Sequence, residues 1–597
     1  MIALLTLLLT FSSSAFQARA CPEGEIGHVF IDNHSIFDPA SLPEDDRIRW
    51  AYELANRIHM RTREEVIRGE LPFQEGDCFD SEVARETARV LREFRFIAGA
   101  DVFDVPQPDG STHVVVDTRD EWTTKVALST RFEDGFRFEG ASIAEENFLG
   151  RGASVGVFWV DREERRHLGA LTEVPRVRGS AWDARASMAR TRVGEKITQA
   201  VIRPFHGEQT GTAFRQEFLH QRDLFTYVLP RDRSANGDVG SWSHLVIPLR
   251  EQRIQLGLSH RLGQPGSVWV LGGGLSYENL QVGSPDMAEG ILDGNFGDRE
   301  PAPSALSAAI EPQSGSRRAF RANGMAGLRQ LRFVERRGLD TVGGIQDVPL
   351  GREVFLTVGR TLGSTGPDRP PDVLARLSLF RGGELGPILS FFTLSAESRR
   401  EAGRGRTEGW RDGIGEAQTL NYWHPEGPGS PTILFRASAQ GGWRTDAPYQ
   451  LTLGGPDGVR GYSETAVPGA RRVILSAEGR WGLPNPLSQL TDLGMTIFGD
   501  TGRMWAGDAP YGVSTGWRST VGAGLRVGFP AGSSSVIRID VAVPVDGAVA
   551  RSPVIRVSAR EWLGVLDDTR SRQLLRSRRS GLTPDFSSVA RERRPPG

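Results

Sequence analysis

Lysine is almost missing from this 597-residue chain: Lys125 and Lys196 stand alone, and every other basic side chain apart from histidine is arginine. Genome composition is a sufficient reason for such a bias. It would still have a consequence inside a protein, because guanidinium keeps its charge and holds carboxylates in fixed pairs. The net charge of −2 offers no surplus of positive charge for a phosphate backbone, so no nucleic-acid partner is expected. Also missing, beyond the N-terminus, is any apolar run of the ~20 residues a helix needs to cross a bilayer. That excludes a helical membrane protein and leaves a barrel open, since barrel strands alternate outward and inward residues and average out in a hydropathy window. Enzyme signatures are scarce. There is no H-E-x-x-H and no phosphate-cradling loop, and the few histidines lack metal-ligand spacing, so no catalytic role, metal or cofactor is expected.

Residues 1–20 have the form of a secretory signal peptide, with an apolar core at Ile2–Leu9 and an A-x-A pattern at Ala18 and Ala20. The n-region lacks Lys and Arg. Cleavage after Ala20 makes Cys21 the first mature residue, but Ala18 and Arg19 are a poor match to a lipoprotein signal. Cysteine occurs only at Cys21 and Cys78. In an exported chain two cysteines read as a disulfide; the alternative is two separate thiols, with Cys78 a small core residue.

Residues 21–121 read as a small α+β unit. Ile26–Asp32 alternates as a strand, the acidic turn at Glu44, Asp45 and Asp46 opens a helical stretch, and Thr62-Arg-Glu-Glu65 resembles a capping box. Asp80 or Ser81 caps a further helix with Val83, Thr87, Val90, Leu91 and Phe94 on one face. Ala100–Val105 and Thr112–Thr118 form a hairpin around Pro108-Asp109-Gly110. An exposed edge of such a sheet can accept an extended peptide.

From residue 122 to 563 the texture changes to short alternating segments. On Ser535–Pro544, Ile537, Ile539, Val541 and Val543 oppose Arg538, Asp540 and Ala542. On Arg471–Trp481, Val473, Leu475, Ala477 and Trp481 oppose Arg472, Ser476, Glu478 and Arg480, with Ile474 out of step. Segment lengths near ~9–11 residues fit strands that cross a membrane. Trp481, Trp505, Trp517 and Trp562 stand near segment ends, where an interface would hold them. The fold class expected is therefore mainly β: a transmembrane antiparallel barrel with an even number of strands, about sixteen, behind the α+β unit. A secreted β-sandwich or propeller is the alternative. Asn279–Arg318, rich in Gly, Pro, Asp and Ser, reads as an extracellular loop, and residues 564–597 as a polar, Arg-rich, disordered tail.

One constellation stands out. A glycine-rich loop, Gly454–Tyr462, carries Arg460; the two strands after it present Glu478 and Asp500, each opposite its strand's apolar face. An arginine tucked into a barrel needs an inward carboxylate, and Asp500 is the expected primary partner, with Glu478 the alternative.

These residues resemble the BamA/TamA outer-membrane protein family. Val459-Arg460-Gly461-Tyr462 is similar to its VRG(F/Y) loop motif. Phe498-Gly-Asp500-Thr-Gly502 is similar to its F-x-D-x-G strand motif, and Ser476-Ala-Glu478 to the strand before it. Asn147-Phe-Leu149-Gly150 with Gly152 resembles its N-x-L-G-x-G segment. The resemblance implies a periplasmic POTRA module at 21–121, a sixteen-stranded barrel at 122–563, and a loop that folds back into the lumen with five strands after it. It also implies a place in the bacterial outer membrane, with the N-terminal unit and the tail in the periplasm. The implied work is assisting insertion, assembly or translocation of proteins. The expected partners are outer-membrane lipid, lipopolysaccharide and client polypeptides. The rivals are a structural or surface-antigen barrel without that activity and a passive or lipid-linked transporter. One module where family members commonly carry several, and a tail beyond the last strand, are departures from the family pattern.

Overall fold

The computed structural model describes residues 21–37, 49–132, 135–162, 165–206, 210–230, 242–292, 296–362, 371–401, 409–425, 427, 430–455, 457–463, 465–485, 487, 490–546, 553–558 and 572–577. The signal peptide at 1–20, the acidic turn at 44–46, Trp562 and most of the tail lie outside them.

Alternation at the N-terminus gives β1 (Ile26–His34). Then come α1 (Arg49–Ile58), α2 (Glu64–Glu70), α3 (Ser81–Arg92), β2 (Ile97–Pro106) and β3 (Thr112–Asp120). The sheet runs β1-β3-β2, with β1 parallel and β2 antiparallel to β3. Asp80 caps α3 by accepting from the backbone N–H groups of Glu82 and Val83. Ile67, Leu91, Phe94 and Phe96 pack against Val29, Val114 and Val116 to form the core. A register shift between Ile26 and His28 turns Ile26 inward beside Val29 and leaves His28 outside, out of step with simple alternation. Cys21 and Cys78 are bonded in a disulfide that ties the N-terminus to the start of α3's capping loop.

The barrel begins four residues past β3. Its first nine strands are β4 (Thr124–Phe132), β5 (Phe136–Phe148), β6 (Ala153–Arg162), β7 (Arg165–Val174), β8 (Asp183–Arg190), β9 (Glu195–Arg203), β10 (Thr212–Val228), β11 (Trp242–Gln264) and β12 (Ser267–Val282). A short hairpin, β13 (Glu289–Leu292) and β14 (Arg299–Pro301), and the helix α4 (Ser304–Ser307) interrupt the wall. It resumes with β15 (Arg317–Arg337), β16 (Ile345–Thr361), β17 (Asp372–Leu385), β18 (Ile388–Glu401), β19 (Trp410–Trp423) and β20 (Thr432–Trp443). The two-residue strands β21 (Leu451–Thr452) and β22 (Pro468–Gly469) belong to a loop and pair only with each other. The wall then closes with β23 (Arg471–Gly482), β24 (Asp492–Trp505), β25 (Arg518–Gly528), β26 (Val536–Pro544) and β27 (Val554–Ser558). The last described helix is α5 (Arg572–Ser577).

The result is a closed antiparallel barrel of 20 strands, with β27 meeting β4, and this corrects the expected sixteen. The excess lies before the loop; five strands follow it, as expected. Strands β15 and β19 carry a weak alternation signal for a physical reason. On β19 the apolar residues Ile414, Leu420 and Tyr422 are buried inside the barrel, while Gly413, Gly415, Ala417 and Thr419 occupy the outer positions. On β15 the outward positions include Gly324, Ala326 and Arg318. Alternation is present in both strands but is inverted or muted. The expected loop at Asn279–Arg318 also shrinks, because β12 runs on to Val282 and β15 starts at Arg317.

The outer face is apolar and the inner face polar, the arrangement that a bilayer outside and a filled interior select. Ile537, Ile539 and Val541 of β26 and Val521 and Leu525 of β25 are exposed, whereas Arg538, Asp540 and Arg526 between them are buried. Trp269, Trp410, Trp423, Trp443, Trp481 and Trp517 are exposed near strand ends. Among the described residues no helix is long and apolar enough to cross a membrane. At the end away from the α+β unit, β10 and β11 carry Phe225, Tyr227, Leu245 and Ile247, which pack with Leu306 and Ile310 of the β12–β15 insert. Gln450 ties this layer to the loop: its amide donates to the carbonyls of Val228 (3.1 Å) and Pro510 (2.9 Å) and accepts from the N–H of Val228 (2.7 Å).

Candidate functional site: an arginine loop against the barrel wall

The loop between β20 and β23 folds into the barrel because its own sequence can pack there. Leu451, Leu453, Val459 and Tyr462 are buried together with Ile474 and Met504 of the wall. This explains why Ile474 breaks the alternation of β23: it points inward, beneath the loop. Glycines let the backbones meet. A Cβ on Gly502 would lie 2.6 Å from Val459 Cγ2, and one on Gly458 would lie 2.1 Å from the Leu453 carbonyl oxygen. Gly461 has φ of +87°, a left-handed conformation that favours glycine, and it sits against Thr520 and Ala542 of β25 and β26.

Packing delivers Arg460 to two carboxylates at once. Its Nε and Nη2 donate to Asp500 Oδ2 (2.7 Å) and Oδ1 (2.8 Å), a side-on fork, and its backbone N–H donates to the same carboxylate at 3.2 Å. Nη1 donates to Glu478 Oε2 at 2.7 Å. The guanidinium carbon stands 3.6 Å above the Phe498 ring centroid. The Arg460, Glu478 and Asp500 side chains are 6 %, 0 % and 1 % exposed, so the charges are compensated by one another rather than by water. The site residues of the loop motif (Val459, Arg460, Gly461, Tyr462) and the wall motif (Glu478, Phe498, Asp500, Gly502) thus meet in one place. Tyr462 reaches further and donates from its hydroxyl to Asp546. Asp500 makes the two-toothed contact and Glu478 a single one, and both hold Arg460 together.

Three members of this cluster were not singled out by sequence. Glu478 also accepts from Arg480 Nε (2.9 Å) and from Arg538 Nη1 (3.2 Å); Arg538 in turn donates to Asp540 Oδ1 (3.1 Å). Their strand parity was visible, but which strands adjoin across the interior was not. A second buried cluster lies on the strands before the loop, from β12 to β19. There Arg321 donates to Glu278 (2.8 Å) and to Asp372 (3.0 Å), and Arg399 donates to Asp412 (2.9 Å) and Asp446 (3.0 Å).

The N-x-L-G-x-G segment occupies the joint between the α+β unit and the barrel. Asn147 is fully buried; its amide donates to Thr62 Oγ1 (2.8 Å) and the Met60 carbonyl (3.1 Å), while its oxygen accepts from Gly152 N–H (2.7 Å). A Cβ on Gly150 would lie 2.4 Å from the Arg61 carbonyl oxygen, and one on Gly152 would lie 2.7 Å from the Phe96 ring. Arg92 forks onto Asp347 (2.8 and 3.0 Å) and Arg95 pairs with Glu173. Glu121 accepts from the Ser533 hydroxyl at 2.8 Å.

Residues Gly152–Gly156 spell G-x-S-x-G, yet they run from a turn into β6 rather than from a strand into a helix. Ser154 accepts from Arg95 at 3.1 Å. Among the described residues no group of three His, Cys, Asp or Glu side chains could hold a metal ion.

Residues 432–550, which span the loop, Glu478 and Asp500, match the model of the Omp85 superfamily domain. No curated protein matches the sequence. Among solved structures, BamA from Haemophilus ducreyi lacking POTRA domains 1-3 is 11 % identical, with a TM-score of 0.35, covering 89 % of this chain and 84 % of that one. CdiB from Acinetobacter baumannii is 11 % identical, with a TM-score of 0.40 over 90 % of this chain and 73 % of that one. CdiB from Escherichia coli is 14 % identical, with a TM-score of 0.41 over 90 % and 76 %. Over residues 432–550 the chain is thus similar to the Omp85 superfamily domain, in line with the BamA/TamA-type resemblance of its loop and wall motifs.

Proposed function

We propose that this barrel assists the insertion, assembly or translocation of polypeptides at the bacterial outer membrane, in the manner of the BamA/TamA family. In this reading the α+β unit is a POTRA module on the periplasmic side, where it engages clients. The observation that carries the proposal is the seam. Strands β25 and β26 pair without interruption from Thr520 opposite Pro544 to Gly528 opposite Val536. Between β27 and β4 only Ile555, Arg556 and Val557 stand opposite Phe132, Arg131 and Thr130 among the described residues. The seam between the first and last strands is where a closed barrel can part, and opened strand edges can template an incoming strand. Pro553, just ahead of β27, has no N–H to extend that ladder. The interior packing supports the same reading over a passive pore, since the loop and the layer formed by β10, β11 and the β12–β15 insert fill space that a solute would need.

Depletion of the protein, followed by a survey of outer-membrane and secreted proteins, tests it. Reduced abundance of particular clients is the expected result. Unchanged proteins together with a defect in small-solute uptake would discard it.

A further inference from the structure

Beyond β27 the chain was expected to be a solvated tail, and α5 departs from that expectation. It lies within the barrel on the inserted loop. The Gln573 side chain accepts from the Thr452 N–H (3.0 Å) and donates to the Thr452 hydroxyl (2.7 Å). Leu574 is fully buried in the apolar cluster that seats Val459 beside Arg460. The Ser577 hydroxyl donates to the Pro448 carbonyl at 2.8 Å.

We propose that the segment Arg572–Ser577 is an intramolecular plug that docks on the interior face of the inserted loop and shields it until displaced. The loop leaves a place for such a segment. Thr452 stands opposite Pro468 in the two-residue ladder of β21 and β22. Its carbonyl takes a hydrogen bond from Arg472 of the wall, and its N–H goes to Gln573. That N–H, on a buried residue, is taken up by Gln573, and folded chains seldom leave such donors without an acceptor. Leu574 adds apolar burial to the same point, so release of the segment uncovers apolar surface as well as a donor. Because the segment belongs to the same chain as the loop, it is presented at an effective concentration on the order of millimolar. Contacts this few then suffice for occupancy, and a competing ligand can still remove them. The inference needs only a barrel and a loop; it stands whether or not the chain handles clients.

Two measurements on the full-length protein in outer membranes test it. The first pairs Thr452→Cys with Gln573→Cys and applies a short bis-thiol cross-linker. Thr501→Cys with Ser519→Cys, neighbours across β24 and β25 whose hydroxyls lie 2.8 Å apart, is the control. Cross-linking of the first pair to the same extent as the control is expected; a linked control with an unlinked first pair overturns the docking. The second follows maleimide labelling of a single Thr452→Cys with and without Leu574→Asp, with heat-modifiable migration reporting the folded barrel. At least a tenfold rise in labelling rate is expected, and equal rates would mean that the segment shields nothing. Should Leu574→Asp fail to fold, Gln573→Ala gives the same reading, with a smaller rise expected and an unchanged rate again decisive.

Discussion

Glu478 accepts from Arg460, Arg480 and Arg538, whereas Asp500 takes three hydrogen bonds from Arg460, and this difference separates their roles. Breaking one partner of a buried ion pair costs about 3–5 kcal/mol because the survivor is left uncompensated. Glu478→Gln withdraws charge from three arginines and is expected to lower the unfolding midpoint of the whole barrel in denaturant. Asp500→Asn leaves Arg460 one charged partner, Glu478, so it should release the loop first, seen as faster protease cleavage near Gly458 with a smaller fall in the midpoint. If the two variants were indistinguishable in both readouts, the division of labour would be wrong. A swap of Arg460 with Asp500 is a poor test of the pair, because the new carboxylate at 460 would face Glu478. Arg460→Lys should also free the loop, since an ammonium cannot fork onto Asp500 and reach Glu478 together. The Arg460, Glu478 and Asp500 constellation was legible in sequence because parity tells which way a side chain points. Arg538 and Arg480 were not legible as its members, because parity says nothing about which inward side chains converge from separate strands.

At the scale of elements, the N-x-L-G-x-G turn between β5 and β6 acts as the socket for the α+β unit. Asn147 satisfies groups from both sides of the joint, so Asn147→Ala leaves the buried Thr62 hydroxyl and Gly152 N–H without these bonds. Each such loss costs about 1–3 kcal/mol. The expected outcome is a unit that folds, held by its disulfide and core, but docks loosely; limited proteolysis should then cut between residues 120 and 124 several times faster. Gly152→Val tests the same joint from the other side, since its side chain would enter the space of the Phe96 ring. Unchanged cleavage in both variants would show that the joint's other contacts, among them Arg92 with Asp347, Arg95 with Glu173 and Glu121 with Ser533, hold it without Asn147. Sequence alone located the hairpin and the helices of the α+β unit. It did not reveal that a turn of the barrel was shaped to receive them, because the glycines at 150 and 152 meet Arg61 and Phe96, which are distant in the chain.

For the molecule as a whole, the circumference is set by 20 strands, and it closes where β27 meets β4, with Ile555, Arg556 and Val557 opposite Phe132, Arg131 and Thr130 among the described residues. A wall this wide needs something inside it, and the Arg460 loop, the two charge clusters and α5 supply that filling. Their described contacts run over strands β12 to β26, and β4 joins them where Arg131 reaches Ser463 of the loop at 3.2 Å and pairs with Glu139. At the seam the buried Arg131 and Arg556 stand opposite one another in register, and like charges directly opposite weaken a strand pair. Thr130→Cys with Val557→Cys, opposite one another in register, would lock it. Cys21 and Cys78 are already bonded to each other, so the new pair has no competing thiol. If the barrel works by parting at this seam, the oxidised double variant should migrate as a folded barrel yet fail to restore clients to depleted cells, and a reductant should return the activity. Full activity in the locked form would mean that polypeptides are handled without parting β27 from β4. The search would then move to the interior, where displacement of α5 is the remaining way to make room.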